Sequence, residues 1–182
     1  MDVLTARLRL RDLRVEDRDP MVDLWTDAAV ARFMDDFGPR TAAQTDDWIR
    51  ATLAANRERE RSSHNSTILL RSTGAVVGWI GVGVSSAPVG DYDFGYAVRP
   101  GHRGHGYATE ALVATLRFCF TDLAVASVWG ECHADNAASA RVMSAACMSR
   151  IADNGGSRRY LARRDSWLGV SGASGVPAGA RR

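Results

Sequence analysis

The chain has 182 residues, 46% hydrophobic and 24% charged, which is enough apolar matter for one domain with its own core. Its 23 basic residues, all arginine, are scattered among 21 acids for a net charge of +2, which argues against a nucleic-acid partner. Apolar runs are short and broken by glycine or charge, which excludes a span of roughly 20 apolar residues, and the opening alternates apolar with basic residues where a secretory leader would be apolar; a cytoplasmic protein with no membrane partner is expected.

In chain order, residues 5–13 set Leu8 and Leu10, with Leu13 beyond, against Arg7, Arg9 and Arg11, the period-2 pattern of a half-buried strand that opens the sheet. Between Glu16 and Phe37, Met21, Leu24, Trp25, Val30, Phe33 and Met34 recur at three and four, so one broken helix or two short ones are predicted. Thr41 and Gln44 form a capping box ahead of the stripe Trp48, Ile49, Leu53 and Ala54, which predicts a helix to about Glu60 and then a polar loop to Asn65. Residues 66–70 and 75–85 flank Ser72-Thr73-Gly74 as a hairpin. Residues 92–98 read as a strand, followed by a glycine-rich turn and a long helix from Tyr107 to about Thr121. Residues 125–132 are strand-like and 137–146 helical, and the remainder to Trp167 reads as a hairpin turning at Asn154-Gly155-Gly156. A single domain over residues 1–170 is expected, with residues 171–182 a disordered tail. Cys119, Cys132 and Cys147 are odd in number, far apart and set among apolar residues, the pattern of buried thiols. No histidine has ligand spacing with them, so no metal is expected.

The chemistry concentrates in residues 98–111, where Gly101, Gly104 and Gly106 lie in the turn that launches the long helix. Glycine there lets main-chain N–H groups approach and point inward, and the first turn of a helix adds unpaired donors and a positive dipole end. Such a turn can cradle a phosphate, with His102, Arg103 and His105 at its rim, or be only a tight turn. Two phosphate motifs are excluded by spacing. The Walker pattern needs a lysine, which the chain lacks, and the residue three after Gly106 is Thr109, which breaks the dinucleotide fingerprint.

Arg103-Gly104-His105-Gly106-Tyr107-Ala108 matches the (Q/R)-x-x-G-x-(G/A) signature of GNAT acetyltransferases at every defined position. Val98-Arg99-Pro100 before it and Ala108-Thr109-Glu110-Ala111-Leu112 after it look like that family's strand end and helix start. Asn136-Ala137-Ala138-Ser139 and Arg7-Leu8-Arg9-Leu10-Arg11 resemble its RimJ/RimL-like branch. The resemblance covers roughly residues 5–167. It implies an α+β fold with a mixed, mostly antiparallel sheet of about six to seven strands, flanked by helices and splayed at the fourth and fifth strands. Acetyl-CoA would lie in that gap as acyl donor. Gly95, Tyr96 and Val98 would offer main-chain groups to the pantetheine and thioester. Arg103, Gly104, His105, Gly106, Tyr107, Ala108 and Thr109 would form the pyrophosphate loop and helix start. Asn136 and Ser139 would contact the pantetheine arm and sulfur, Asn136 being also the natural N-cap of its helix.

The resemblance further implies an N-acetyltransferase working by direct attack of a neutral amine in a ternary complex, since proximity and an oxyanion donor suffice for an activated acyl group. Many relatives protonate the leaving thiolate with a tyrosine seven residues after this asparagine, but that position is Met143, so Ser139 is the expected acid. The glycine-aromatic pair that usually ends this helix is replaced by Cys147-Met148. Asp93, before Gly95-Tyr96, is the expected base, or else a solvated strand carboxylate. Trp25, Phe33, Asp35 and Asp36 lie in the segment that resembles the family's substrate wall; the pair of acids could draw a cationic amine or be a solvated helix end, and the aromatics could be core. The acceptor would be a protein N-terminal or small-molecule amine, and the protein could pair as a homodimer. Two rivals stand beside this reading: a non-catalytic acyl-CoA-binding regulator on the same fold, and a protein using the glycine turn for another phosphate ligand.

Overall fold

Leu8 and Leu10 are fully buried, and the strand that carries them, β2 (Leu8–Asp12), is paired on its outer edge by a short strand, β1 (Asp2–Leu4). The computed structural model describes residues 1–34, 38, 41–153 and 155–173. After β2 come α1 (Arg18–Trp25), α2 (Ala28–Ala31) and α3 (Ala42–Ala55), then the meander β3 (Ser63–Leu70), β4 (Val76–Val84) and β5 (Tyr92–Val98). The chain continues through α4 (Tyr107–Thr121), β6 (Ser127–His133), α5 (Ala137–Ala145), β7 (Ser149–Asp153), β8 (Ser157–Arg163) and α6 (Arg164–Ala173). One sheet of eight strands results, in the order β1-β2-β3-β4-β5-β6-β8-β7. The pairing is antiparallel everywhere except between β5 and β6. The mixed, mostly antiparallel sheet is as expected, with eight strands in place of six or seven. The extra strand is β1, three residues long and too short to show an alternation.

Two cores cover the two faces. On one, Leu8, Leu10, Ile80 and Val82 pack with Leu112, Leu116 and Phe120 of α4, Met143 of α5 and Trp167 of α6. On the other, Trp79 and Ala97 pack with Met21, Leu24 and Trp25 of α1, Val30 of α2 and Ile49 of α3. Each large aliphatic side chain so buried contributes about 1.5–3 kcal/mol. The helix α3 begins where Thr41 Oγ1 accepts from Gln44 N at 3.2 Å. It stops at Ala55, short of Glu60, because Arg57, Glu58, Arg59 and Glu60 are all exposed and offer nothing to bury. The polar stretch after it is not all loop, since β3 starts at Ser63 and turns His64 inward.

β5 and β6 are paired only at Tyr92↔Val128 and Asp93↔Trp129, and beyond these positions they part. Phe94 lies over Gly130, where a Cβ would come within 2.5 Å of the phenyl ring, so a side chain on β6 at this point would displace it. This is the splay expected between the fourth and fifth strands, numbered one higher because of β1.

Three expectations about the C-terminal third need correction. Trp167 does not close a hairpin but sits in α6, 2% exposed, its Nε1 donating to Ala146 O at 2.7 Å. That helix runs to Ala173, three residues past the expected domain boundary, and residues 174–182 lie outside the described residues. Cys119 and Cys132 are buried as expected, but Cys147 is exposed. Cys147 occupies the residue just past the end of α5 with φ +60°. Met148 N donates to Met143 O at 3.1 Å and Cys147 N to Ser144 O at 3.0 Å, the bond pair of a Schellman turn. The helix therefore ends in the left-handed geometry glycine would adopt, although a cysteine fills it.

Candidate active site

The glycine turn has the shape its composition suggests. Gly104 and Gly106 both have φ +78°, a region other residues enter at a cost, and nothing lies within 4 Å of where a Cβ on Gly104 would be. The first amide of α4 to bond within the helix is that of Glu110, to Gly106 O at 3.1 Å. The amides of Tyr107, Ala108 and Thr109 are therefore left at the helix end as donors for an anion. The fit to a phosphate group rests on this main-chain concavity.

The charged side chains around the turn mostly hold it in place. Arg103 Nε donates to Val98 O at 3.0 Å and its Nη2 to Asp27 Oδ1 at 2.8 Å. Asp27 also caps α2 by accepting from Val30 N at 3.0 Å, and the Arg103 guanidinium holds its carboxyl below the usual carboxylate range. The signature arginine thus ties the turn to the strand end and to α2. Glu110 accepts from Thr5 Oγ1 at 2.6 Å, Arg7 N at 2.9 Å and Arg7 Nε at 2.7 Å. Burial would push its carboxyl up, but these bonds outweigh burial and leave it lowered. Arg7 Nη1 donates to His105 O at 2.9 Å, and its guanidinium lies 4.8 Å from the Tyr107 ring centre. The imidazole of His105 stacks on the same tyrosine, 5.5 Å centre to centre. Arg7 was read in the sequence only as part of the opening strand and Asp27 was not named; their partners lie far along the chain, so no local pattern marks these contacts.

The turn opens into a cavity of about 1370 Å³ that passes through the gap between β5 and β6. This exceeds the 300–1,000 Å³ common for one small ligand, leaving room for a long cofactor and an acceptor together. Tyr96, Val98, Arg103, Gly104, Gly106, Tyr107, Ala108, Thr109, Asn136 and Ser139 all line it, as do Asp93, Trp25 and Phe33. His105, expected among them, does not, although His102 does. The carbonyl of Val98 is already taken by Arg103. Asp35 and Asp36 lie outside the described residues.

Strand alternation divides the lining between the two faces of β5. Asp93, Gly95 and Ala97 share the face covered by α1–α3, where Trp25, Trp48 and Trp79 stand with ring centres 5.1–5.9 Å apart. Phe33 reaches the rim, its ring 6.1 Å from His133 of β6. Trp48, read in the sequence only as part of a helical apolar stripe, and Trp79, not named there, join Trp25 as wall and core at once, with Trp79 Nε1 donating to Asn65 Oδ1 at 3.1 Å. Burial raises the Asp93 carboxyl above its ordinary value, and a hydrogen bond from Ser85 opposes this.

Tyr92, Phe94 and Tyr96 take the opposite face, toward α4 and α5. There Asn136 caps α5, its Oδ1 accepting from Ser139 N at 3.0 Å. The Ser139 hydroxyl lies 2.8 Å from the Tyr96 hydroxyl, and both face the cavity. Burial pushes the Tyr96 phenol well up, more than the bond to Ser139 pulls it down, so it stays protonated. Tyr96 was expected to contribute only its main chain; the side chain is the unforeseen part. No group of three or more His, Cys, Asp or Glu suited to a metal is present among the described residues.

Comparison with known proteins agrees with this architecture. Residues 7–149 match the model of the "Acetyltransferase (GNAT) domain". An uncharacterized N-acetyltransferase, p20, of Bacillus licheniformis is 25% identical over 140 residues, 77% of this chain and 78% of that one. Among solved structures, a GNAT-family acetyltransferase from Bacillus anthracis superposes with a TM-score of 0.74 at 21% identity, over 91% of this chain and 99% of that one. Mycobacterium smegmatis RimJ in complex with CoA-disulfide does so with a TM-score of 0.73 at 18% identity, over 94% and 95%. The family model covers most of the chain, including the glycine turn and the whole of β5: this protein belongs to the GNAT family of acetyltransferases.

Proposed function

We propose that this acetyltransferase moves an acetyl group from acetyl-CoA to a primary amine, either a protein N-terminal α-amino group or a small-molecule amine, by direct attack in a ternary complex, and that it stands in the RimJ/RimL-like branch. The observation that carries the reading is the single cavity joining the phosphate cradle to Asp93 through the β5–β6 gap. Acetyl-CoA, when bound, supplies an acyl thioester already activated toward amines. The amides at Gly104, Gly106 and the start of α4 hold its diphosphate. Beyond Asp93, the edge of β5 that faces the gap has no strand partner among the described residues and offers main-chain groups to the pantetheine arm. Ser139 donates a hydrogen bond to the departing sulfur, and Asp93 accepts a proton from the attacking nitrogen, directly or through water.

The energetic demand on Asp93 is small for one acceptor class. An α-amino group with pKa near 8 costs about 1 kcal/mol to deprotonate at pH 7, whereas a lysine near 10.4 costs about 4.6 kcal/mol. A carboxylate raised by burial is a better proton acceptor than an ordinary one, and suffices for the first. Trp25, Phe33, Trp48 and Trp79 wall the acceptor side, and Asp35 and Asp36, outside the described residues, are proposed to attract a cationic amine. The test is a screen of amines for acetyl-CoA-dependent thiol release, alongside thermal shifts with acetyl-CoA, ATP and NAD. Stabilisation by acetyl-CoA with thiol release supports the reading. Stabilisation without release from any amine favours a binding protein, and stabilisation by ATP or NAD alone refutes it.

A further inference from the structure

Ser139 has the task of donating toward sulfur, yet a serine hydroxyl rotates freely and on its own points its proton wherever an acceptor lies. Two acceptors compete with the cavity for it: helix carbonyls and the Tyr96 oxygen. The Tyr96 oxygen sits 2.8 Å from Ser139 Oγ and 3.5 Å from Ser139 O, and only the shorter is a strong hydrogen bond. The phenol has one proton to give, and Ser139 Oγ is much the better placed of its two acceptors. If that proton goes to Oγ, it fills one lone pair of the serine and leaves the serine's own proton free to turn into the cavity.

We propose that Tyr96 is a positioning residue for acetyl transfer: its hydroxyl donates to Ser139 Oγ and thereby aims the Ser139 proton at the sulfur of the bound thioester. A donor that is itself receiving a hydrogen bond is polarised and donates more strongly. Tyr96 is held from β5 and Ser139 from the first turn of α5, where Asn136 fixes the Ser139 amide. The contact therefore bridges β5 and the helix that follows β6, the strand across the gap. No proton leaves Tyr96. The C–N bond forms as the C–S bond breaks, sulfur departs with the electron pair under the Ser139 hydrogen bond, the nitrogen's proton goes to Asp93 or water, and the released thiolate takes a proton from solvent. The position seven residues after Asn136 is filled by Met143, 1% exposed and part of the core, so a side-chain donor near the sulfur has to come from elsewhere. The Tyr96–Ser139 pair supplies it from the neighbouring strand.

This inference rests on the acetyl-transfer reading, and a double-mutant cycle separates the two. Wild type, Tyr96→Phe, Ser139→Ala and the double variant are compared for kcat, for KM of acetyl-CoA and for melting temperature. Tyr96→Phe keeps the ring and its packing on Phe94. It should lower kcat about 5- to 30-fold with KM for acetyl-CoA within twofold, and the double variant should be no slower than Ser139→Ala alone. A merely structural tyrosine would shift melting temperature and leave kcat, or multiply its effect with that of Ser139→Ala. Wild-type kcat in Tyr96→Phe, or losses that multiply, overturns the inference alone. A wild-type chain that releases no CoA with any amine overturns the acetyl-transfer reading and this inference with it. Should Tyr96→Phe fail to fold, site-specific 3-fluorotyrosine at position 96 replaces it. A change in kcat that disappears in the Ser139→Ala background supports the pairing, and one that persists there refutes it.

Discussion

Replacing Gly106 by alanine separates what the turn costs the fold from what it gives the ligand. Gly106 sits at φ +78° and ψ 6° as the residue before α4, and an added Cβ would meet only Arg7 Nη2, at 3.5 Å, an ordinary contact. No clash forces the chain to move, so the penalty in the free protein is that of an L-residue in the left-handed region, about 1–2 kcal/mol. For a chain of this length each 1 kcal/mol shifts melting by about 2–4 °C, so the free variant should melt about 2–8 °C lower and stay folded. The methyl group, however, enters the concavity where main chain must approach an anion. Acetyl-CoA affinity should fall at least tenfold, a loss of about 1.4 kcal/mol or more. Titration calorimetry reads the affinity, and melting curves with and without acetyl-CoA read both terms. At 100 times Kd the wild type gains about 2.7 kcal/mol from the ligand, and the variant at the same concentration should gain visibly less. A folded Gly106→Ala variant that binds acetyl-CoA with wild-type affinity would place the cradle elsewhere.

Variants at three further positions have expected outcomes. Asp93→Asn should lose kcat most at low pH and recover as pH rises, because an amine that is already neutral needs no base; an unchanged pH profile on the true acceptor reduces Asp93 to a strand carboxylate. Burial raises the Asp93 pKa and so disfavours its charged form, which penalises the fold above that pKa, and Asp93→Asn should therefore also melt higher at pH 7 than wild type, as read by calorimetry. Cys147→Gly should stabilise by roughly 0.5–1 kcal/mol in urea titrations, since relief of the left-handed strain exceeds the extra freedom of glycine in the unfolded chain. Asp17 is 3% exposed and takes both Arg11 Nη atoms at 2.7 Å with Thr67 Oγ1 at 2.6 Å; Asp17→Ala should cost about 3–5 kcal/mol by leaving that guanidinium unpaired, again in urea titrations. Burial works against the Asp17 charge, but these bonds win and depress its pKa, so its stabilisation is present above about pH 4 and is lost as pH falls further, an acid dependence that Asp17→Asn should flatten.

Where a signal is local, the sequence carried it. The strand at 92–98, the helix starting at Tyr107 and the caps at Thr41 and Asn136 fall where alternation, the glycine turn and side-chain capping put them. The geometry of the glycine turn was legible to the same depth, because a concavity of main-chain amides is announced by the glycines that permit it. What escaped are contacts between distant segments. Arg7 meets Glu110 and His105 across about a hundred residues, and Arg103 meets Asp27 across 76. Tyr96 meets Ser139 only because the fold brings α5, which follows β6, back toward β5. The misread ends have physical causes too. Trp167 looked like the close of a hairpin because a helix anchored by one buried indole shows little periodicity. Cys147 looked buried because its composition cannot reveal a positive φ.

These contacts also reassign the work within the signature. Arg103 is its charged residue, yet its Nε donates to the Val98 carbonyl and its Nη2 to the Asp27 carboxylate, and Glu110 is committed to Thr5 and Arg7. An anion entering the turn therefore meets amides first, and the side chains keep those amides in register by tying the turn to the strand end, to the N-terminal strand and to α2. Asp27 gives this tie a further reach, because the same carboxylate caps the short helix that carries Val30 into the acceptor-side core and leads to Phe33 at the rim. A change in the turn that draws Arg103 Nη2 toward a bound phosphate would loosen its hold on Asp27, and with it the start of the proposed substrate wall. The proposed phosphate end and the proposed acceptor end of the cavity are thus joined by one ion pair as well as by the gap between the strands.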